Sequence, residues 1–207
     1  RHKRSSYTPE TSLRNIVALA GSMLGNAPHP STWVGIGIGV PGIVDHLDGR
    51  VRLAPNLGWS DVPLGDMVRE ALTAEFGFAP SVAVNNDADL GAIAEHARGM
   101  GAHSRHLIYV SGEVGIGGGV IIDGRPMAGA GGYGGEVGHM AINPQGAMCR
   151  CGAQGCWETE IGRDAIVSAA GLGGDQTEVA DVIAAASAGD KRAQQAIDDL
   201  SAILWPT

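Results

Sequence analysis

The sequence contains no apolar run long enough to span a bilayer as a helix, and no secretory signal is visible, which argues against a membrane-spanning segment. It is also short of positive charge. Fourteen Lys and Arg stand against 22 Asp and Glu, for a net charge of -8, so it lacks the basic footprint of a nucleic-acid surface. Arg1, Lys3 and Arg4 give a short basic start that reads as a solvated end rather than a DNA contact. There is no internal repeat and no low-complexity linker. Cysteine is scarce, at three residues, an odd number that leaves one thiol over from any disulfide.

The 207 residues are 44% hydrophobic and 17% charged, the balance of a globular chain that can bury a core as one large domain or two small lobes. The 33 glycines exceed average usage and imply many tight turns and close backbone approaches.

All three cysteines fall in one segment. Glu136-Val-Gly-His139 is followed by Cys149-Arg-Cys151-Gly-Ala-Gln-Gly-Cys156-Trp-Glu158, a C-x-C-x4-C run with a histidine ten positions upstream. Three thiolates and one imidazole are a donor set that tetrahedral zinc prefers. Gly152 and Gly155 allow the backbone to wrap tightly enough to aim the sulfurs at one point. Two other readings compete: a disulfide with a spare thiol, and three bland buried thiols. A C-x-C pair is too close to bridge comfortably, and bland thiols do not explain the clustering. The chemistry favours zinc on His139, Cys149, Cys151 and Cys156, in a structural role because four protein ligands leave no open position. Reduced metal-binding cysteines fit a cytoplasmic location.

Along the chain, Thr8-Pro9-Glu10 reads as a helix start, and Leu13, Ile16, Val17, Ala20 and Leu24 recur at helical spacing up to Gly25-Asn26. Residues 26–31 read as a loop. Trp33 to Val40 reads as a glycine-rich strand turned by Pro41-Gly42, and Asp45 to Arg52 as a hairpin. Leu64 to Phe76 is helical in period, and Ser81 to Val84 is a short strand. A helix follows with Leu90, Ile93, Ala94 and Ala97 on its apolar face and Gly99 as its stop. Leu107 to Ser111 and Gly117 to Ile122 read as strands, the second closing at Asp123-Gly124. Val179 to Ala188 and Lys191 to Leu204 read as helices. Strands alternating with helices indicate an α/β protein. The Gly99-Met100-Gly101 turn divides it into an expected partial N-terminal lobe over 1–99 and a C-terminal lobe with the zinc loop over 100–207.

The Gly-Gly-Glu136-Val-Gly-His139 segment with its C-x-C-G-x-x-G-C-x-E run resembles the signature of the ROK family (repressor, open reading frame, kinase). Gly37-Ile-Gly-Val-Pro41-Gly42, Ala54-Pro-Asn56-Leu-Gly-Trp59 and Asn86-Asp87-Ala-Asp89 support the resemblance, which covers about Val34 to Gly162. It implies the actin-like (ribonuclease H-like) ATPase fold of bacterial sugar kinases and sugar-sensing repressors, usually dimers or tetramers. Against that pattern the chain looks truncated at both ends: no Asp-x-Gly-x-Thr phosphate motif precedes Trp33, and members continue beyond Leu204-Trp205-Pro206-Thr207.

By spacing alone Asp87 reads as a cap for the helix that follows it, and Glu136 and Glu158 as surface acids. The resemblance instead implies that Asn86, Asp87, Glu136, His139 and Glu158 bind a monosaccharide, with Asp87 the general base in kinases. It further implies that Ser111-Gly-Glu113-Val-Gly115-Ile-Gly117-Gly118-Gly119 contacts ATP phosphates in kinases, through Gly115, Gly117 and Gly118, with magnesium as the accompanying ion. Members commonly carry threonine where this chain has Glu113, and a carboxylate there repels a triphosphate. The resemblance is therefore closest to the xylose-repressor-like branch, in which a winged helix-turn-helix binds DNA; none is present in this sequence. Asp45, Asp48, His96 and His103 read as loop or surface residues.

Overall fold

The computed structural model describes residues 7–24, 33–112, 114–173 and 177–204. The basic start, the helix stop at Gly25-Asn26, the 26–31 loop, Glu113 and the last three residues lie outside the described residues.

The chain is mixed α/β, in the order α1 (Pro9–Leu24), β1 (Gly35–Val40), β2 (Ile43–Asp45), β3 (Arg50–Ala54), β4 (Trp59–Val62), α2 (Leu64–Phe76), β5 (Ser81–Asn86), α3 (Asp87–Arg98), β6 (Leu107–Gly112), β7 (Ile116–Ile122), β8 (Arg125–Pro126), α4 (Trp157–Ile161), α5 (Arg163–Ala169), α6 (Val179–Ser187) and α7 (Lys191–Leu204). β1 and β5 pair in parallel, with Val40 opposite Asn86. β2-β3-β4 and β6-β7-β8 form two further sheets. The helix start at Thr8 is as expected: its Oγ1 accepts the Thr11 N–H at 3.2 Å.

Two compact units emerge, one of Val110–Gly118 with Glu136–Thr207, the other of His2–Tyr109 with Gly119–Gly135. The Gly99-Met100-Gly101 turn is therefore internal to the second unit. It folds back on its own helix: the His96 ring Nε2 lies 3.0 Å from the Ser104 carbonyl, and a side chain at Gly101 would press on Leu107.

The second unit is built on Val40, Val44, Val51, Ala54, Trp59, Leu64, Val68, Leu72 and Val84, covered by Leu13, Ile16, Val17 and Ala20 of α1. Each buried valine or leucine among them contributes about 1.5–3 kcal/mol by leaving water. Trp59 of the Ala54–Trp59 motif is one of these core residues, and its indole N–H donates to the Tyr7 carbonyl at 2.6 Å. In the first unit α5, α6 and α7 pack through Ile166, Val167, Ala170, Val182, Ala186, Ala193 and Ala196, a mostly small-residue core that lets helices approach closely.

The apolar face expected for α3 is not the buried one. Leu90 is 37% exposed, and Ala88, Asp89 and Ala92 are buried instead. The reason is steric: a side-chain carbon on Gly119 of β7 would fall 2.6 Å from the Ala92 methyl, so only small residues fit that face. α4 and α5 were not foreseen, and β5 runs two residues further than Val84.

Candidate metal centre and its flanking carboxylates

Residues 140–157 fold into a tight loop closed by its own backbone. The Gly155 carbonyl accepts the N–H groups of Ile142 and Asn143 at 2.9 and 3.1 Å, and Trp157 donates to Met140 at 2.8 Å. Inside it Cys149 donates to Ala153 at 2.8 Å and Gly152 back to Cys149 at 3.0 Å. Gly152 and Gly155 have φ of 94° and 67°, a region that disfavours side chains. At Gly155 a side-chain carbon would also collide with the Asn143 carbonyl.

This wrapping gathers the four donors. One ligand atom each from His139, Cys149, Cys151 and Cys156 lies within 4.8 Å of every other. Cys149 and Cys156 are buried and Cys151 is exposed, and none is in a disulfide. Burial pushes the Cys156 thiol up to about 12 and raises Cys149 as well. Burial acts on Cys151 too, but hydrogen bonds from the Ala153 N–H and the neighbouring thiols outweigh it and bring that thiol down. Such a nest of sulfurs is unfavourable as bare thiolates and favourable around a cation. The residues therefore fit a metal ion, with three sulfurs and a nitrogen as its ligands.

His139 faces two ways. Its Nδ1 is 3.6 Å from the Cys149 sulfur, while its Nε2 is 3.7 Å from a Glu136 oxygen. With Nδ1 on a metal, Nε2 remains for an outward partner. Glu158, in the first turn of α4, accepts the Ile116 N–H at 3.2 Å through Oε2. Its Oε1 has no protein partner among the described residues. Sequence reasoning missed Ile116, because a backbone donor leaves no side-chain signal.

The other two expected sugar residues sit at the β5–α3 junction. Here the cap is Asn86 rather than Asp87: its side-chain oxygen accepts the N–H groups of Ala88 and Asp89 at 2.8 and 3.0 Å. Its amide donates to the Gly42 carbonyl at 2.8 Å, tying the Pro41-Gly42 turn to the Asn86-Asp87 pair. Asp87 is exposed, with one oxygen on the Ala88 N–H at 2.9 Å and the other without a partner among the described residues.

Of the glycines in the 111–119 stretch, Gly118 is buried within β7 and Gly117 is half-buried. Asp45 and Asp48 are occupied structurally, paired to Arg52 at 2.9 Å and Arg50 at 3.5 Å. No helix among the described residues is long and apolar enough to cross a membrane.

The xylose repressor of Caldicellulosiruptor bescii is 41% identical over 160 residues, covering 77% of this chain and 39% of that protein. A solved ROK family transcriptional regulator, described as a homolog of the E. coli MLC protein, superposes with a TM-score of 0.74 at 27% identity over 95% of this chain and 51% of that one. A ROK family glucokinase from Streptomyces griseus, solved with glucose and AMPPNP, gives a TM-score of 0.71 at 29% identity over 90% of this chain and 64% of that one. The chain thus spans about two fifths to two thirds of the length of these three proteins. These neighbours share the actin-like α/β fold. The model of the ROK family matches residues 1–204, taking in the donor cluster, both flanking glutamates and the Asn86-Asp87 junction, and with that extent of agreement the chain belongs to the ROK family.

Proposed function

We propose that this chain is the sugar-binding effector domain of a ROK-family transcriptional repressor regulating carbohydrate metabolism. The observation that carries the reading is the His139–Cys149–Cys151–Cys156 cluster bracketed by Glu136 and Glu158. A zinc ion held by those four residues acts as a structural cross-link, because the protein fills every position of a tetrahedral ion. It holds the His139 turn against the loop that leads to Glu158. The Oε1 of Glu158 and the Nε2 of His139, which faces Glu136, then serve as polar partners for sugar hydroxyls, together with Glu136.

Asp87 and Asn86 of the other unit are also sugar-binding residues in this reading. Asn86 has spent its oxygen and one amide hydrogen on the backbone, so its second hydrogen is what it offers a hydroxyl. Asp87 offers a carboxylate oxygen. The effector is a monosaccharide of the aldose class, consistent with a xylose repressor and a glucose-bound glucokinase among the similar proteins. DNA binding belongs, in this reading, to a winged helix-turn-helix outside these 207 residues.

A second reading, an ATP-dependent sugar kinase, is favoured by the likeness to the glucokinase solved with AMPPNP. Asp87 would then take the proton of the hydroxyl being phosphorylated, with ATP and magnesium as the phosphoryl donor. We favour the repressor because of the 41% identity to a xylose repressor and the Glu113 carboxylate in the glycine-rich stretch.

Titration calorimetry of the parent and Asp87→Ala against D-xylose, D-glucose and related aldoses tests the sugar site. Loss of one hydrogen bond from a charged group to the sugar costs about 1–3 kcal/mol, so the variant should bind the parent's best sugar roughly 5- to 150-fold more weakly. Equal affinity would show the site to be wrongly assigned.

A further inference from the structure

The first residues of β7 lie against both elements that carry the proposed sugar carboxylates of the first unit. On one side Glu158 Oε2 accepts the Ile116 N–H at 3.2 Å, in the space that a side chain on Gly115 would occupy. On the other, the missing side chain of Gly138 leaves room for the Ile116 carbonyl. Gly138 belongs to the Val137–His139 turn, next to Glu136 and His139. The Gly115–Ile116 backbone is thus held by the metal-loop turn and α4 together.

We propose that the Gly115–Ile116 step is a positioning element for Glu158, fixing its Oε2 so that Oε1 is the oxygen presented to a sugar hydroxyl. The proposal rests on the sugar-site reading of Glu158. It gives Gly115 a reason to be glycine that involves no nucleotide. A methyl group there would displace Oε2 from the position in which it accepts the Ile116 N–H. It also gives the Ile116 N–H a job other than phosphate binding. That donor already points at an anion, and a phosphate brought to the same atom would meet the carboxylate's charge at close range.

A double-mutant cycle on sugar binding tests the idea, with D-xylose and D-glucose as probes and metal content measured alongside. Gly115→Ala should weaken binding about tenfold in the parent, as for loss of a well-placed hydrogen bond, and less than about twofold in a Glu158→Ala background, since coupled residues are not additive. A generally damaged fold would lower affinity equally in both backgrounds, and that result overturns the proposal. If Glu158→Ala binds as tightly as the parent, or the parent binds neither sugar, the sugar reading falls and the proposal falls with it. If Glu158→Ala weakens binding while Gly115→Ala does not, the sugar reading stands and only the positioning role is lost. Should Gly115→Ala fail to fold, hydrogen exchange decides. The Ile116 amide should exchange roughly tenfold faster in Glu158→Ala than in the parent, as expected for removal of its acceptor. Unchanged exchange overturns the proposal.

Discussion

The sulfur atoms of Cys151 and Cys156 lie 3.6 Å apart, much too far for a disulfide and close to the edge of a metal tetrahedron. Metal–sulfur bonds of ~2.3 Å at tetrahedral angles give a sulfur–sulfur edge of about 3.8 Å. The corresponding sulfur–nitrogen edge is about 3.6 Å with a metal–nitrogen bond of ~2.0–2.1 Å, and Cys149 and His139 are 3.6 Å apart. The loop's backbone hydrogen bonds and glycines set this spacing.

Purified protein should therefore carry one zinc per chain by elemental analysis. Cys151→Ser should lower the metal content and weaken sugar binding together, because metal binding and local folding are linked. A metal-free protein with the same unfolding temperature and sugar affinity would contradict the assignment.

The parts of the molecule that were legible in the sequence are those with local causes. α2 was bounded correctly at Leu64 and Phe76 by its apolar period, and the donor cluster by ligand type and spacing. What depends on a distant partner was not legible. The buried face of α3 follows from Gly119 in β7 rather than from the helix's own pattern. The choice of Asn86 over Asp87 as cap follows from where β5 ends. α4 and α5, of five and seven residues, are too short to display a period, and α5 is secured by its packing on α6 and α7 and by the buried Arg163.

Arg163 is 6% exposed and donates to the Thr177 carbonyl at 2.7 and 3.1 Å, to Glu178 at 3.0 Å and to Asp164 at 3.0 Å. Both carboxylates are mostly exposed, at 59% and 64%, so their ion pairs add little. The burden falls on the Thr177 carbonyl and the packed guanidinium. Arg163→Ala should lower the unfolding free energy by about 2–4 kcal/mol in urea titrations. Arg163→Lys should recover only part of that, because an ammonium cannot reproduce the planar fork. A loss below about 0.5 kcal/mol, the ordinary range of surface substitutions, would contradict this account.

Incubation with ATP, magnesium and a panel of aldoses should give no sugar phosphorylation in a coupled assay. Phosphoryl transfer depends on positioned donors and neutralised charge. Here the Ile116 N–H is directed at Glu158, and the glycine-rich stretch carries Glu113. Turnover that disappears in Asp87→Asn would replace the repressor reading with the kinase one.

Asp89 provides a test in which two known effects oppose each other. It lies in the first turn of α3, where a negative charge gains about 0.3–1 kcal/mol from the helix dipole. It is also only 8% exposed, and no hydrogen bond to its carboxylate is present among the described residues. Burial raises its pKa, His46 opposes the shift and Asp87 adds to it. For an acid whose folded pKa is raised, the native state holds its proton more tightly than the unfolded state does. The associated stability is present below the unfolded pKa, ordinarily ~3.9, and is lost as pH rises through the folded value. Asp89→Asn keeps the shape without the charge. It should raise stability at pH 7 by on the order of 1 kcal/mol, or about 2–4 °C in unfolding temperature for a chain of this size. The gain should shrink as the pH is lowered toward the ordinary aspartate range, where the parent carboxyl is protonated as well. Thermal unfolding of both proteins across that range checks it, and a variant less stable than the parent at pH 7 would mean that the dipole, not burial, governs this carboxylate.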